Sequence, residues 1–229
     1  NLPVNIKLIY IILGGFLMEK ILSNYKSLLN NLESLSSESI KNYDLDKTGL
    51  FIVDMNNGFA KEGALSSPRV EKIINPIADF GKALSSKINT IVAFTDTHDK
   101  NSVELKSYPS HCLRGDKESQ VVQELLSIEN MNILEKNSTN GFFVLDMEKY
   151  KNLDNFIVVG CCTDICVYQF VLTLKTYFNQ NNLDKNIIVP ISLVETYDID
   201  EVHSGDMLNT IFLNSMIQNG INVVKEIIL

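Results

Sequence analysis

From residue 49 onward, short runs of apolar, β-favouring residues alternate with longer stretches of helical periodicity. The runs are Leu50-Phe-Ile-Val53, Thr90-Ile-Val-Ala-Phe94, Asn132-Ile-Leu134, Phe156-Ile-Val-Val159, Ile187-Ile-Val189 and Ile221-Asn-Val-Val224. They are continuous apolar runs for the most part rather than alternating ones, which marks strands buried on both faces, and strands separated by helices pair in parallel. The pattern predicts a three-layer α/β/α domain over residues 49–229 around a central, mostly parallel six-stranded sheet. Helices are expected near 67–86, 117–128, 163–181 and 200–219, with a short one near 146–151. No Pro/Gly linker, composition shift or internal repeat divides this span.

Ahead of that domain, Tyr25, Leu28, Leu29, Leu32 and Leu35 recur at helical spacing from Ile21, and the pattern stops in Ser36-Ser37-Glu38-Ser39. Residues 18–48 therefore read as an N-terminal helical extension. Residues 1–17 read as a translated leader, because Met18 opens Met-Glu-Lys-Ile-Leu like an ordinary N-terminus. Gly14-Gly15 can also be encoded by GGAGG a few bases upstream of an ATG, the layout of a bacterial ribosome-binding site. The apolar run from Leu8 to Met18 is too short to span a bilayer and lacks a small-residue cleavage site.

Twenty Lys and Arg against 28 Asp and Glu leave a net charge of −8, a field that repels phosphate backbones and anionic membrane surfaces. Nucleic acid and membrane are thus excluded as expected partners, and homo-oligomerisation is left open. The four cysteines, at 112, 161, 162 and 166, are too clustered for a disulfide framework and indicate a reducing, cytoplasmic compartment.

In open parallel sheets, ligands bind at the carboxyl ends of the strands. The residues just after the first four runs are Asp54, then Asp96-Thr97-His98, then Glu135-Lys136, then Gly160-Cys161-Cys162-Thr163-Asp164-Ile165-Cys166. Taken singly, Asp54 reads as a helix cap and Lys136 as a solvated lysine. Delivered together into one crevice with a cysteine-bearing turn, they read as chemistry.

Asp54, Lys136 and Cys166 on those strand ends resemble the Asp-Lys-Cys triad of the isochorismatase-like cysteine hydrolase family. Asp54-Met-Asn-Asn-Gly-Phe59 is similar to the family's Asp-x-Gln-x-Asp-Phe, with Asn for Gln and Gly for the second Asp. Gly160-Cys-Cys-Thr-Asp-Ile-Cys-Val167 matches Gly-x-x-Thr-Asp-x-Cys-Val throughout. The resemblance implies Cys166 as nucleophile, Asp54 as proton acceptor and donor, and Lys136 as the cation beside the sulfur. It also implies an oxyanion hole from the backbone N–H groups of Cys162 and Cys166, with a cis peptide between Cys161 and Cys162. A helix starting near Thr163 would add its dipole to Lys136 in lowering the Cys166 pKa. The side chains of Cys161 and Cys162 read as packing groups.

The family includes metal-free hydrolases of isochorismate and carbamoyl amides, and metal-dependent nicotinamidases. Asp96, His98 and His111 supply metal-ligand chemistry, and Glu104 resembles the fourth protein ligand of some nicotinamidases. Oxygen and nitrogen donors without thiolate suit one divalent ion, Zn²⁺ first, with Fe²⁺ and Mn²⁺ as alternatives. Cys112, next to His111, is expected to point away. Tyr108-Pro-Ser-His111-Cys-Leu-Arg-Gly115 resembles the nicotinamidase aromatic-Pro-Pro-His-Cys-x-x-Gly stretch, which implies that Phe59 and Tyr108 sandwich the ring of nicotinamide. Hydrolysis of isochorismate or of a carbamoyl amide, and a non-catalytic protein retaining the fold, stand as the alternatives. His203 reads as a surface helix residue without a partner.

Overall fold

The computed structural model describes the backbone of residues 4–229 and side chains from Gly14 onward. The strands are β1 (Glu38–Ser39), β2 (Thr48–Val53), β3 (Thr90–Asp96), β4 (Met131–Lys136), β5 (Asn155–Cys161), β6 (Asn186–Pro190), β7 (Val194–Glu195), β8 (Asn222–Val224) and β9 (Ile227–Ile228). The α-helices are α1 (Val4–Glu33), α2 (Asn57–Ala60), α3 (Pro68–Lys72), α4 (Ile74–Ser85), α5 (Met147–Tyr150), α6 (Tyr168–Gln180) and α7 (Gly205–Gln218).

The six expected strands form one parallel sheet in the order β4-β3-β2-β5-β6-β8, and the two-residue β7 pairs with β5 as a seventh. A separate two-stranded parallel sheet joins β1 to β9. Side chains alternate across the sheet and are largely buried on both sides in β2, β3, β5, β6 and β8, whereas β4, expected to be buried likewise, is an edge strand that exposes Asn132, Ile133 and Glu135. Leu50, Ile52, Ile157 and Val159 join α3 and α4 in one core, and Phe51, Val53, Phe156 and Val158 join α6 and α7 in the other. This two-sided burial accounts for the unbroken apolar runs. Chain order reverses between β2 and β5, so the crevice at their carboxyl ends is the switch point where ligands bind in such sheets.

Two expected helices differ in detail. The stretch 67–86 breaks at Ile73, because Pro76 has no N–H to continue the helical ladder back to Lys72. The stretch 117–128 forms two 3₁₀ turns instead of an α-helix. Its backbone is tied to the loop after β2, with Asn57 N–H donating to Gln120 O at 2.9 Å and Val122 N–H to Met55 O at 3.0 Å.

Helix α1 packs on α7, where Asn31 Nδ2 donates to Asn214 Oδ1 at 2.7 Å and Asn214 Nδ2 to Leu28 O at 3.0 Å. It begins earlier than the expected Ile21 and runs unbroken through Met18, with Phe16, Leu17 and Met18 exposed. Residues 1–3 of the expected leader lie outside the described residues. Among the described residues, no helix is long and apolar enough to cross a membrane.

Candidate active site

The parallel register sets the strand ends level. Val53 pairs with Phe94 on one side and Gly160 on the other, and Asp96 pairs with Lys136. The next residue after β2, Asp54, takes a left-handed backbone at φ 50° and is fully buried. After β5 the chain passes through a cis Cys161–Cys162 peptide, as expected, into a π-helical turn at Thr163–Val167 that runs directly into α6. Gly160 makes this turn possible. Its φ is 114°, and a Cβ there would lie 2.0 Å from Val53 O.

Asp54, Lys136 and Cys166 are thereby brought together. Lys136 Nζ lies 2.8 Å from Asp54 Oδ2, contacts Asp96 Oδ1, and donates to Ser138 O at 2.9 Å. Burial, supported by Asp96 and opposed by Lys136, pushes the Asp54 carboxyl up to about 7. Burial works to lower the Lys136 pKa, yet Asp54, Asp96 and Cys166 hold it well above the ordinary lysine value. The Cys166 thiol departs from expectation. Burial raises its pKa, Asp54 adds to the effect, and Lys136 opposes without outweighing them. The resting nucleophile is therefore a thiol beside a carboxyl that titrates near neutrality.

Asp96, His98, Glu104 and His111 form a second cluster, with donor atoms all within 4.8 Å of one another. Each histidine places Nδ1 against an acceptor, Asn137 Oδ1 at 3.2 Å for His98 and Pro109 O at 2.7 Å for His111. The proton thus belongs on Nδ1, leaving the Nε2 lone pairs facing Asp96 Oδ2 at 3.2 and 3.5 Å. One Glu104 oxygen accepts from Thr139 N–H at 2.9 Å, while Oε1 and His98 Nε2 are buried without hydrogen-bond partners, 3.7 Å apart. Burial opposes a charge on His98, but Asp96, Asn137 and Glu104 raise its pKa, so positive charge is favoured at this point. Asp54 and Asp96 share one ammonium, Glu104 adds a further carboxylate beside His98, and the orphaned donors converge. This donor set fits a divalent cation.

A cleft with about 410 Å³ of empty space joins the two clusters. Phe59, Tyr108, Asp96, Glu104, His111, Cys162 and Cys166 all line it, and the rings of Phe59 and Tyr108 flank His111 at 5.6 and 6.1 Å. Cys161 packs as expected, its thiol donating to Asp54 O at 3.1 Å, and Cys162 also belongs to the buried apolar core while lining the cleft. Cys112 points away from the cluster toward Glu118 O. Its sulfur would lie 2.6 Å from a Cβ at Gly58, so in this chain that position has no room for a side chain. Asn56, at the family's Gln position, is buried and donates to Asp96 O at 3.0 Å and Ser119 O at 3.2 Å.

The family model described as Isochorismatase domain matches residues 48–211. This chain belongs to the isochorismatase family. Among curated relatives, Nicotinamidase 1 of Arabidopsis thaliana is 27% identical over 210 residues, covering 78% of this chain and 86% of that protein. The fold is shared with the pyrazinamidase of Pyrococcus horikoshii solved in complex with zinc, at TM-score 0.65 and 22% identity over 78% of this chain and 99% of that one. It is also shared with N-carbamoylsarcosine amidase from Thermoplasma acidophilum, at TM-score 0.64 and 24% identity over 78% of this chain and 96% of that one.

The isochorismatase fold here carries cleft-side residues that the strand-end reading did not reach. Tyr197 and Ile165 line the cleft, and Tyr197 follows β7, a strand too short to leave a periodic signal. His203 also differs from expectation. It lies in the turn before α7 with its side chain 11% exposed, stacked on Tyr197 and 2.8 Å from Asp164 Oδ2. Those partners are distant in sequence, so composition and spacing held no trace of the contact.

Proposed function

We propose that this protein is a metal-dependent cysteine amidohydrolase that converts nicotinamide to nicotinic acid and ammonia, a step of NAD salvage. The observation that carries this reading is the convergence of Asp96, His98, Glu104 and His111 on the cleft that also holds Cys166. Within the family, a metal site separates nicotinamidases from the metal-free hydrolases of isochorismate and carbamoyl amides. The similarity to a plant nicotinamidase supports the same choice. A cytoplasmic location belongs to this reading and rests on the four free cysteines.

In this mechanism Phe59 and Tyr108 hold the pyridine ring, with its amide directed at Cys166. Asp54 accepts the thiol proton as the sulfur attacks the amide carbon, and the Lys136 ammonium steadies the anionic charge that develops. The backbone N–H groups of Cys162 and Cys166 receive the carbonyl oxygen as it becomes an oxyanion. Asp54 returns its proton to the nitrogen as the C–N bond breaks and ammonia leaves. A water, deprotonated by Asp54, then hydrolyses the Cys166 thioester to the acid, and Asp54 passes that proton to the departing Cys166 sulfur. Asp96, His98, Glu104 and His111 would hold the divalent ion, Zn²⁺ by its donor set with Fe²⁺ or Mn²⁺ as alternatives, and that ion would supply a Lewis acid to orient the ring nitrogen.

The same reading takes residues 49–229 as the hydrolase domain, 18–48 as its extension and 1–17 as a leader, which codons for Gly14 and Gly15 without a GGAGG core would exclude. The activity is tested by ammonia release from nicotinamide and carbamoyl amides, and by cleavage of the enol ether of nitrogen-free isochorismate, by zinc-loaded protein, with Cys166→Ala as the blank. Turnover of nicotinamide that disappears in the variant is expected. Faster turnover of a carbamoyl amide, or nicotinamide turnover that survives Cys166→Ala, overturns the reading.

A further inference from the structure

Behind the cleft wall, His203 occupies a position that the chemistry above does not use. Its ring stacks on Tyr197 with centroids 3.7 Å apart and planes at 19°. Nδ1 lies 3.0 Å from Tyr197 O, and Nε2 lies 2.8 Å from Asp164 Oδ2. A carbonyl and an ionised carboxylate are both acceptors without a proton to give, and a neutral imidazole has only one N–H. Both contacts are hydrogen bonds only if both ring nitrogens carry protons.

The surroundings agree. The second Asp164 oxygen accepts from the Thr196 hydroxyl at 2.5 Å, so this carboxylate is held from two sides. Of the other charges on the segment, Asp200 and Glu201 are exposed and the rest are committed elsewhere. Arg69 pairs with Glu195 at 2.9 Å and Asp206 at 2.8 Å while its Nε donates to Thr196 O, and Asp198 accepts from Gly205 N–H. Tyr197 itself sits among active-site groups. Burial pushes its phenol up to about 12, with Cys162, Asp164 and Tyr108 adding to the effect. Asp164 stands in the π-helical turn that carries Cys166.

We propose that His203 is a positioning residue: as an imidazolium it clamps Tyr197, an aromatic wall of the substrate cleft, to Asp164 in the nucleophile turn. It lies outside the cleft lining, so it acts on substrate only through Tyr197. The clamp fixes the width of the slot beside Cys166, which deepens the nicotinamidase reading by assigning ring fit to a residue remote from the chemistry. Releasing Tyr197 weakens binding of a flat ring and leaves the Asp54-Lys136-Cys166 arrangement in place.

The test uses the zinc-loaded full chain. Nitrogen-15 spectra at neutral pH, assigned by the signals lost in His203→Gln, should show both His203 ring nitrogens protonated. In Asp164→Asn the new amide N–H can donate to Nε2, so His203 should become neutral with Nε2 unprotonated. A neutral His203 in the parent, or the same double protonation in Asp164→Asn, overturns the proposal. His203→Gln should raise KM for nicotinamide about tenfold with kcat within about threefold of the parent. It should also raise the rate of Cys166 alkylation by N-benzylmaleimide relative to iodoacetamide, because the slot widens. An unchanged KM in a parent that turns over nicotinamide overturns the clamp while leaving the activity standing. If the parent does not hydrolyse nicotinamide, the function reading falls by itself. The spectra and the alkylation ratio then decide the clamp, and an unchanged ratio rejects it.

Discussion

Asp54 and Asp96 share the ammonium of Lys136, and the protein drives their two carboxyl groups in opposite directions. Burial works to raise Asp96, but Lys136 and the neighbouring His111 and His98 hold it well below the usual carboxylate range. Asp54 has only Lys136 and the Cys166 thiol to set against its burial, and its Oδ1 has no hydrogen-bond partner. One carboxylate is a permanent anion suited to a cation, and the other is a proton carrier near neutral pH.

The first expectation concerns pH. With Asp54 as base, kcat/KM should rise with pH through an acid limb near 7, where its carboxyl ionises. The stability effect has the opposite sign. A carboxyl raised from 3.8 to about 7 favours the fold most below its unfolded value, and that contribution is lost as pH rises through 7. Asp54→Asn should fold and lose roughly 10²–10⁴ in turnover. An acid limb that persists unmoved in a fully active Asp54→Asn assigns the proton to another group.

Lys136 should matter to both folding and reactivity. It is 2% exposed, and Lys136→Met leaves two buried carboxylates without their ammonium, a loss of about 3–5 kcal/mol by the usual cost of breaking a buried ion pair. Guanidinium unfolding reads this directly. Because Lys136 is the group that opposes the raised Cys166 pKa, Lys136→Ala should also slow iodoacetamide modification of Cys166. Equal unfolding midpoints and equal alkylation rates would show that the ammonium is structurally and electrostatically idle.

Gly160→Ala is expected to abolish soluble folded protein. The added methyl group would sit 2.0 Å from Val53 O, on the buried backbone of the neighbouring strand, at a φ of 114° that side chains rarely adopt. A variant with the parent's circular dichroism and melting temperature would mean that β5 leaves β2 by a different path.

The sheet and most of the cleft were legible in the sequence because two-sided burial writes an unbroken apolar run, and a parallel sheet sends the following residues to one edge. Asp54, Asp96, Lys136 and Cys166 were readable from position alone. What escaped was set by contacts between distant segments. The 117–128 stretch has helical spacing, but its backbone is drawn onto the loop at Met55–Asn57. Strands β1, β7 and β9 are two residues long and carry no period. His203 meets Asp164 across 39 positions, and Tyr197 reaches the cleft only because β7 docks on β5. The Cys166 thiol was misread for a related reason. A helix start and a lysine lower a thiol pKa, but the depth of burial and two carboxylates outweigh them here.

The last expectation separates the two clusters. Asp96, His98, Glu104 and His111 converge on one side of the cleft, whereas Asp54 and Lys136 approach the sulfur, with Asp96 as the shared edge. Chelation, or His98→Ala, should therefore weaken nicotinamide binding and turnover while Cys166 alkylation by iodoacetamide stays nearly unchanged. Glu104→Gln should act in the same direction more mildly, because Thr139 N–H can still hold the side-chain oxygen. Benzamide offers the same amide without a ring nitrogen to engage the cation, so it should be a poor substrate for zinc-loaded protein. Comparable turnover of benzamide and nicotinamide would sink this division of labour. So would loss of Cys166 alkylation on metal removal from protein that keeps its fold, since the metal cluster would then be serving the nucleophile rather than the ring.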